Sequence, residues 1–506
     1  MKLVHRIHRM FGSVFALLLA MWFVSGAVMT FAAFPAHEQH ERLASAPPLP
    51  SGLAPELPPT LVNFLEEKGF AQGLRPRLAM LEGRPTWVSE DATGVRRAHL
   101  THAPWAVSEL DRPRIVAQAS SRTSERVVDV ERLDEPDQWT VSLVKRGVLP
   151  LYRVFLEGTR QVYLSSKSGE ILQDSDRLER ALAWTGAIPH WLTFTLLRQN
   201  RLLWKNTVLV LSALGLVASV SGSLAGLRVW WLRRKKRIRR PIVDVQLRWH
   251  QALGLVFGLF VTSWLFSGAL SLRPFDWTGD KAPSLQTRSA LYGAANHRWD
   301  VGPALARCQA QLEVRELELT RFAGRVYAVC YDAAARTRIV DVDTLVSSER
   351  LGRDVLAELT AKLGAQGEQR DTYDGYYFPR KRGLPTSLPY WRLSLHDERD
   401  SVMYVDPSRA LMAQHLTRAG RWERWLYHGL HSIDLPGLYQ HRAAWRTLLI
   451  AAMSVGAALS LLGFAMTFRK LGRLAARSVR RSEAKRYITP DEARYPPAGA
   501  RRRTKE

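Results

Sequence analysis

The sequence predicts a membrane protein with four transmembrane α-helices in a duplicated, pseudo-twofold arrangement and two α+β domains outside the membrane. Four apolar runs each approach the ~20 residues that a spanning helix needs; they cover residues 10–34, 208–231, 253–272 and 448–468. Residues 6–28 and 248–270 match each other without a gap, which indicates an internal duplication. Alternating apolar and polar residues between the runs, as at 152–156, predict β-strands.

The formal net charge of +25 is concentrated in three segments, at residues 1–9, 233–240 and 469–506. With four spans, all three segments lie on one side of the membrane, and the positive-inside rule assigns that side to the cytoplasm. We therefore interpret the charge as a topology signal, and nucleic-acid binding becomes the weaker alternative. Both termini are expected in the cytoplasm. The two long segments between spans are then external, or periplasmic in a Gram-negative cell.

The first span begins with basic residues, as a secretory signal peptide does. Its apolar part is longer than that of a signal peptide, and its counterpart at 250–272 lies in the middle of the chain. We therefore expect a retained helix. The predicted segments are transmembrane helix 1 (1–34), a first external domain (35–189), an interfacial segment with helix 2 (190–232), a basic loop (233–249), helix 3 (250–272), a second external domain (273–424), an interfacial segment with helix 4 (425–468) and a basic tail (469–506).

The duplication extends through most of the chain at an offset of 239 to 242 residues. Residues 81–91 resemble 322–332, and residues 149–172 resemble 388–411. The segments before the even-numbered spans, 184–205 and 425–446, also match. Each half is therefore predicted to consist of a helix, an external α+β domain and a second helix.

The two cysteines, Cys308 and Cys330, both lie in the second external segment. Outside the cytoplasm, paired cysteines are usually oxidised, so we predict a disulfide. The alternative is a pair of buried thiols. Neither cysteine lies in a C-x-x-C-H motif, and a covalently attached c-type haem is therefore excluded.

Four histidines occupy equivalent positions in the two halves, His8 with His250 and His190 with His431. A single histidine at a membrane boundary is equally well explained as an interfacial residue. A pseudo-twofold, however, would bring each equivalent pair together, and two facing imidazoles are suitable axial ligands for a haem iron. One helical turn from His8 and His250, Gly12 and Gly254 would leave room for a flat macrocycle or allow close helix packing. The reserve ligands are His428, His441 and His5.

The segments that begin at His8 and His250 ("HRMFGSVFALLLAMWFVSGA" and "HQALGLVFGLFVTSWLFSGA") resemble the PepSY-associated transmembrane protein family. Residues 152–172 are similar to the end of a PepSY domain, and the segments 188–204 and 429–445 are similar to those before the family's second and fourth helices. The resemblance covers the chain up to about residue 480. It implies PepSY-like external domains and a location in the bacterial inner membrane.

Members of this family include di-haem ferric-siderophore reductases. The resemblance therefore implies an oxidoreductase with two b-type haems that passes electrons to an external ferric-siderophore or other iron complex and releases Fe(II). The sequence contains no G-x-G-x-x-G motif after a strand, so we expect a separate electron donor, either quinol or a cytoplasmic reductase. The alternative function is a non-enzymatic PepSY membrane protein that binds haem, a metal complex or a peptidase. A transporter is less consistent with spans that lack acidic residues.

An aromatic and basic segment in the second external domain, residues 371–391, is the candidate substrate contact. Aromatic faces beside cations suit a flat, oxygen-rich, anionic iron complex. The residues are Tyr373, Tyr376, Tyr377, Arg380, Lys381 and Arg382. The alternative is a solvated loop whose tyrosines pack on the sheet.

Overall fold

The computed structural model describes residues 2–65, 74–90, 96–100, 110–142, 148–237, 242–279, 281–293, 300–379 and 386–487. The chain divides into two compact units. The first unit consists of Met1–Met21, Leu214–Thr262 and Ser454–Glu506, and the second of Trp22–Ala213 and Ser263–Met453.

Within the described residues, four helices are long and apolar enough to cross a membrane, as predicted. They are α1 (Lys2–Met29), α8 (Arg201–Lys235), α9 (Val245–Ser271) and α16 (Arg442–Tyr487). Each helix extends beyond its apolar run because Lys, Arg and Gln are good helix formers and the backbone hydrogen bonds continue past the apolar residues. α8, for example, ends in Arg233, Arg234 and Lys235.

The other helices of the described chain are short and belong to the second unit. They are α2 (Gln39–Ser45), α3 (Pro59–Phe64), α4 (Arg112–Ser120), α5 (Arg177–Thr185), α6 (Ala187–Trp191), α7 (Thr195–Arg198), α10 (Leu285–Tyr292), α11 (Gly302–Gln309), α12 (Arg353–Leu363), α13 (Arg418–Glu423), α14 (Leu430–Ser432) and α15 (Pro436–Gln440). A π-helical turn, Arg424–Gly429, connects α13 to α14. Local signals start several of these helices; at α5, Asp176 and Glu179 form a capping box.

The strands of the second unit form antiparallel sheets, so the two long segments between the candidate spans have α+β character. The strands are β1 (Arg77–Leu81), β2 (Arg84–Glu90), β3 (Arg96–Leu100), β4 (Val127–Leu133), β5 (Leu151–Leu156), β6 (Gln161–Ser165), β7 (Ile171–Ser175), β8 (Glu316–Phe322), β9 (Arg325–Tyr331), β10 (Thr337–Asp341), β11 (Ser347–Ser348), β12 (Gln366–Arg370), β13 (Tyr390–Ser394), β14 (Val402–Asp406) and β15 (Leu411–Leu416). Among the described strands, β4–β7 and β12–β15 each form a four-stranded sheet in sequence order.

The remaining described strands form one sheet in the order β11-β10-β9-β8-β1-β2-β3. Strands from both long segments between spans therefore share a sheet, whereas the sequence assigned the segments to two domains. The junction is the antiparallel pair β1 and β8, in which Arg77 lies opposite Glu318. The core beside it contains Trp87 from the first segment and a disulfide between Cys308 and Cys330 from the second.

Buried ion pairs hold this junction together. Arg77 donates to Glu316 (2.9 Å) and to Glu170 (2.6 Å), and Arg42 of α2 donates to both carboxylate oxygens of Glu316 (2.9 and 3.0 Å). Burial alone would raise the pKa of Glu316, but Arg77 and Arg42 outweigh it and hold that pKa below its ordinary value. The carboxylate is therefore ionised at neutral pH, and its loss would remove the ion pair of Arg42 and one of the two carboxylates bonded to Arg77.

We expect Glu316→Ala to destabilise the second unit by about 3–5 kcal/mol, because breaking a buried ion pair leaves an uncompensated charge. The matched control is Asp129→Ala, since Asp129 pairs with Arg112 and its side chain is 60% exposed; its cost should be about 1 kcal/mol or less. The measurement is the thermal unfolding midpoint in detergent. The pKa of Glu316 is lower in the folded than in the unfolded protein. Its contribution to the free energy of unfolding is therefore present above the pKa of the unfolded state, and it is lost as the pH falls through the pKa of the folded state. Equal midpoints for the two variants would contradict the prediction.

Candidate functional site

The first unit brings together His8 of α1 and His250 of α9. Their ring centroids lie 6.1 Å apart, with 35° between the ring planes. Nδ1 of His8 lies 3.0 Å from the carbonyl oxygen of Ala218 on α8. Nδ1 of His250 lies 3.2 Å from the carbonyl oxygen of Leu459 on α16. Each ring is thus held by the backbone of a different helix.

The second unit brings together His190 of α6 and His431 of α14. Their ring centroids also lie 6.1 Å apart, with 61° between the planes. Nδ1 of His190 lies 3.1 Å from the carbonyl oxygen of Trp22 and 3.2 Å from the hydroxyl of Ser25. Nδ1 of His431 lies 3.2 Å from the hydroxyl of Ser267 and also meets the Trp264 carbonyl. The Trp264 indole donates in turn to the carbonyl oxygen of His431, at 2.9 Å.

All four histidines use the same local arrangement. The residue whose carbonyl meets Nδ1 is followed, four positions later on the same helix, by glycine. The pairs are Ala218 with Gly222, Leu459 with Gly463, Trp22 with Gly26 and Trp264 with Gly268. Residues i and i+4 lie one above the other on a helix, so a side chain at the second position would occupy the place of the imidazole.

The space at these glycines is already filled by the rings. A Cβ at Gly222 would lie 2.6 Å from Cε1 of His8, closer than any normal contact. A Cβ at Gly26 would lie 3.2 Å from His190, and one at Gly268 would lie 3.3 Å from His431. At Gly463 the corresponding distance to His250 is 3.4 Å. Glycine is therefore required for the approach of the His8 ring to its carbonyl, whereas a Cβ at Gly26 or Gly268 would need a small shift of the ring and one at Gly463 would make an ordinary contact.

The carbonyl contacts determine which ring nitrogen carries the proton. A carbonyl oxygen can only accept, so Nδ1 must be the N–H donor and Nε2 must hold the lone pair. An Nδ1–H···O=C bond is the usual partner of a histidine that binds metal through Nε2, because it fixes the tautomer and the ring orientation.

The histidines of the second unit lie outside the spanning helices and are held neutral. Burial lowers the pKa of His190 to about 4. Burial, followed by the neighbouring His190, lowers the pKa of His431 to about 3. At pH 7 both imidazoles are therefore uncharged, which is the form that binds a metal.

A cavity of about 370 Å³ surrounds the histidine pair of the first unit. This volume lies within the range of ~300–1,000 Å³ that is typical of cofactor sites. Residues of α1, α8, α9 and α16 line it, and glycines are prominent among them: Gly12, Gly222, Gly226, Gly254, Gly258 and Gly463. The cations Arg9 and Lys470 also line the cavity.

The spacing of both pairs fits two ligands on opposite sides of one metal. Metal bonds to imidazole nitrogen are about 2.0 Å long, so two in line, with the ring radii added, span roughly 6 Å between ring centroids. The observed distance is 6.1 Å in each pair. Among the described residues, no group of three or more His, Cys, Asp or Glu side chains forms a metal site. A pair of imidazoles suits a metal whose other positions are filled by a macrocycle, and the residues present therefore fit haem.

The sequence singled out the four histidines but gave no role to the groups that hold them. The carbonyl acceptors carry no side-chain signal. The glycines that face the rings do: Gly222 and Gly463 are 241 residues apart, the offset of the duplication. Gly12 and Gly254, which were predicted to make room for a macrocycle, line the cavity.

The reserve ligands have other neighbours. His5 lines the cavity beside His8 and His250. His428 lies against Tyr427, with 4.5 Å between the ring centroids, and His441 lies between α15 and α16. The ring that faces His190 is that of His431.

The aromatic segment predicted to contact substrate is partly a packing element. Tyr377 is only 2% exposed and stacks on Tyr404, with 5.6 Å between centroids. The Tyr373 hydroxyl donates to the carbonyl of Thr386. Both tyrosines thus belong to the core on sheet β12–β15. Arg380, Lys381 and Arg382 lie outside the described residues.

Tyr376 connects this segment to the turn that precedes His431. Its hydroxyl accepts from the indole of Trp425, at 3.1 Å. The neighbouring Arg424 is buried, and it donates to the carbonyl of Gly375 (3.0 Å) and to Asp434 (2.7 Å). The segment around residue 376 therefore contacts the π-helical turn that leads into the helix of His431.

Two carbonyl-oriented imidazoles that face each other form the candidate site of each unit. This arrangement can hold one metal in a flat macrocycle per unit. Known families give no independent indication, since no family model and no curated protein matches the chain.

Proposed function

We propose that the chain is a haem b oxidoreductase of the bacterial inner membrane, which passes electrons to a periplasmic ferric-siderophore or similar iron complex. The observation that carries the proposal is the pair of 6.1 Å histidine contacts, each with Nδ1 bound to a backbone carbonyl. Four histidines oriented alike are poorly explained as isolated interfacial residues. They are well explained as ligands.

In this proposal, His8 and His250 hold one haem, and His190 and His431 hold the other. Haem supplies one-electron chemistry when it is bound. The chain orients the imidazoles through Ala218, Leu459 and Trp22 and keeps Nε2 available. Arg9 and Lys470, which line the cavity of the first unit, suit the carboxylate groups of the macrocycle.

The same contacts support the duplication and the PepSY-type architecture. Ala218 and Leu459 are 241 residues apart, as are Gly222 and Gly463. In the β1–β8 pair, Arg77 lies opposite Glu318, which is its own equivalent at that offset. A strand pair in which a position faces its equivalent is what a pseudo-twofold between two copies produces.

The distribution of charge supports the proposed topology, with both termini in the cytoplasm and the second unit in the periplasm. The helix ends of the first unit are rich in Lys and Arg. The electron donor is then on the cytoplasmic side or within the membrane, as a reductase or quinol.

The test is to purify the full chain in detergent after expression with ample haem. We expect two haems per chain and a b-type reduced-minus-oxidised spectrum. Dithionite-reduced protein should be reoxidised by a ferric siderophore, with Fe(II) trapped by a chelator. A colourless protein would overturn the proposal and favour the non-enzymatic PepSY protein. A red protein that ferric complexes do not reoxidise would favour haem binding without reduction of iron.

The basic residues of the aromatic segment are expected to attract the anionic iron complex. The triple change Arg380→Ala, Lys381→Ala and Arg382→Ala should leave haem content unchanged and slow reoxidation roughly tenfold or more, most strongly at low salt. The contact between Tyr376 and Trp425 supports this location, because it links the segment to the turn before His431.

The matched control removes three exposed cations of the first external segment, Arg112, Arg126 and Arg132. Stopped-flow reoxidation of the two triple variants and the parent provides the comparison. Equal rates for all three proteins would place the substrate contact elsewhere.

A further inference from the structure

Helix α16 continues well beyond the part that a membrane span requires. Its apolar run ends at Phe468, yet the helix extends to Tyr487. At about 1.5 Å per residue, these nineteen further residues are ~28 Å long. The polar interface on each side of a bilayer is only roughly 5–8 Å thick. A straight helix would therefore place Val479 about 16 Å beyond Phe468, in water.

The extension comprises residues 469–487, and its part at 469–479 has two chemically different sides. Leu471, Leu474 and Val479 lie on one side and are 58, 50 and 55% exposed. Arg469, Lys470, Arg473 and Arg477 lie on the other. The whole extension contains eight Lys or Arg residues and one acid, Glu483. A helix with an apolar side and a cationic side is typical of helices that lie in the membrane interface.

Gly472 lies near the start of the extension, four residues after Phe468. Glycine is among the least favourable residues inside a helix. A Cβ at Gly472 would meet nothing within 4 Å, so packing does not require glycine there. Arg469, just before it, is anchored to Gln246 and Asp244. Gly472 is thus a position at which the helix can bend just after the anchored residue Arg469.

We propose that residues 473–479 bend at Gly472 and bind the anionic lipid headgroups of the membrane surface. In that position Leu474 and Val479 contact the acyl boundary while Arg473 and Arg477 contact the headgroup phosphates. An acidic soluble partner would also attract the cations, but it would leave the apolar side of a straight helix in water. An anionic membrane surface can contact both the apolar side and the cationic side of the helix. The proposal does not depend on haem or on reductase activity.

The test places a fluorophore on the full chain through Leu474→Cys, in nanodiscs of phosphatidylcholine alone or of equimolar phosphatidylcholine and phosphatidylglycerol. Cys308 and Cys330 form a disulfide and do not react. Quenching by brominated acyl chains reports depth. Reference labels are Leu461→Cys within the span and Val346→Cys on an exposed turn of the second unit.

In anionic discs we expect the label at 474 to be quenched like that at 461, and at least twofold more than in neutral discs. Arg473→Gln with Arg477→Gln should restore the neutral-disc value. The control pair Lys235→Gln with Lys236→Gln, at the end of α8, should not. A label at 474 that behaves like the one at 346 in both lipids would overturn the proposal. Equal quenching in both lipids would overturn the requirement for anionic headgroups.

Discussion

His431→Ala is expected to reduce the haem content from two per chain to one, and His190→Ala is expected to do the same. Each change removes one of two facing imidazoles whose centroids lie 6.1 Å apart. A single remaining imidazole would hold the macrocycle more weakly and would not give the spectrum expected for two imidazole ligands. His8→Ala and His250→Ala should have the equivalent effect on the other pair. The measurements are the ratio of haem to protein and the reduced-minus-oxidised spectrum.

The histidine pair in the other unit should be unaffected, because the residues that contact one pair do not contact the other. His190 depends on Trp22 and Ser25, whereas His8 depends on Ala218 and Gly222. Mutations at sites that share no partners normally have additive effects. His190→Ala combined with His8→Ala should therefore give a colourless protein.

The control for the second unit is His428→Ala, since His428 lies three residues before His431 and packs on Tyr427. It should keep both haems. Free imidazole added together with haem to His431→Ala should restore the spectrum, which separates ligand loss from misfolding. Retention of two haems by all four single variants would show that the assignment is wrong, and His428, His441 and His5 would then be the ligands to test.

The sequence was sufficient to predict the candidate spans and the equivalent histidines, because neither prediction depends on tertiary contacts. A membrane span requires a long apolar run, which is a local property of the chain. The equivalence of His8 with His250 depends only on comparison of the two halves. Neither prediction needs knowledge of which strands or helices touch.

The sheet that joins the two long segments between spans could not be predicted from a local pattern or from comparison of the two halves. β1 and β8 are more than 200 residues apart in the chain. Their pairing depends on burial of Arg77 with Glu316 and Glu170, which no local pattern reveals. The role of Tyr377 was ambiguous for a similar reason. Its burial depends on Tyr390 and Tyr404, which belong to strands that follow residue 377 in the sequence.

The carbonyl groups that orient the histidine rings could not be predicted from the sequence, because every residue has a backbone carbonyl. Only the glycine four residues after each acceptor marks the site in the sequence. Gly26 and Gly268 recur beside Ser25 and Ser267, and that recurrence is visible without a structure. Its meaning becomes clear only when His190 and His431 are seen against those glycines.

Gly222→Ala is expected to disrupt the proposed haem site of the first unit although it changes neither proposed ligand. The added Cβ would lie 2.6 Å from Cε1 and 2.7 Å from Nδ1 of His8. Carbon atoms in contact are normally about 3.5–4.0 Å apart, so the ring must move. It would then lose its 3.0 Å bond to the Ala218 carbonyl and with it the fixed orientation of Nε2. We expect loss of that haem or a clear change in its spectrum and reduction potential.

The matched control is Gly226→Ala, one turn further along α8. Gly226 lines the same cavity, but a Cβ there would meet no protein atom within 4 Å and would leave His8 untouched. Alanine is more favourable than glycine in a helix by about 1 kcal/mol, so neither change should weaken α8 itself. A defect at 222 with none at 226 can therefore be attributed to contact with His8. If Gly222→Ala kept both haems with unchanged spectra and potentials, the carbonyl contact would not be what orients His8.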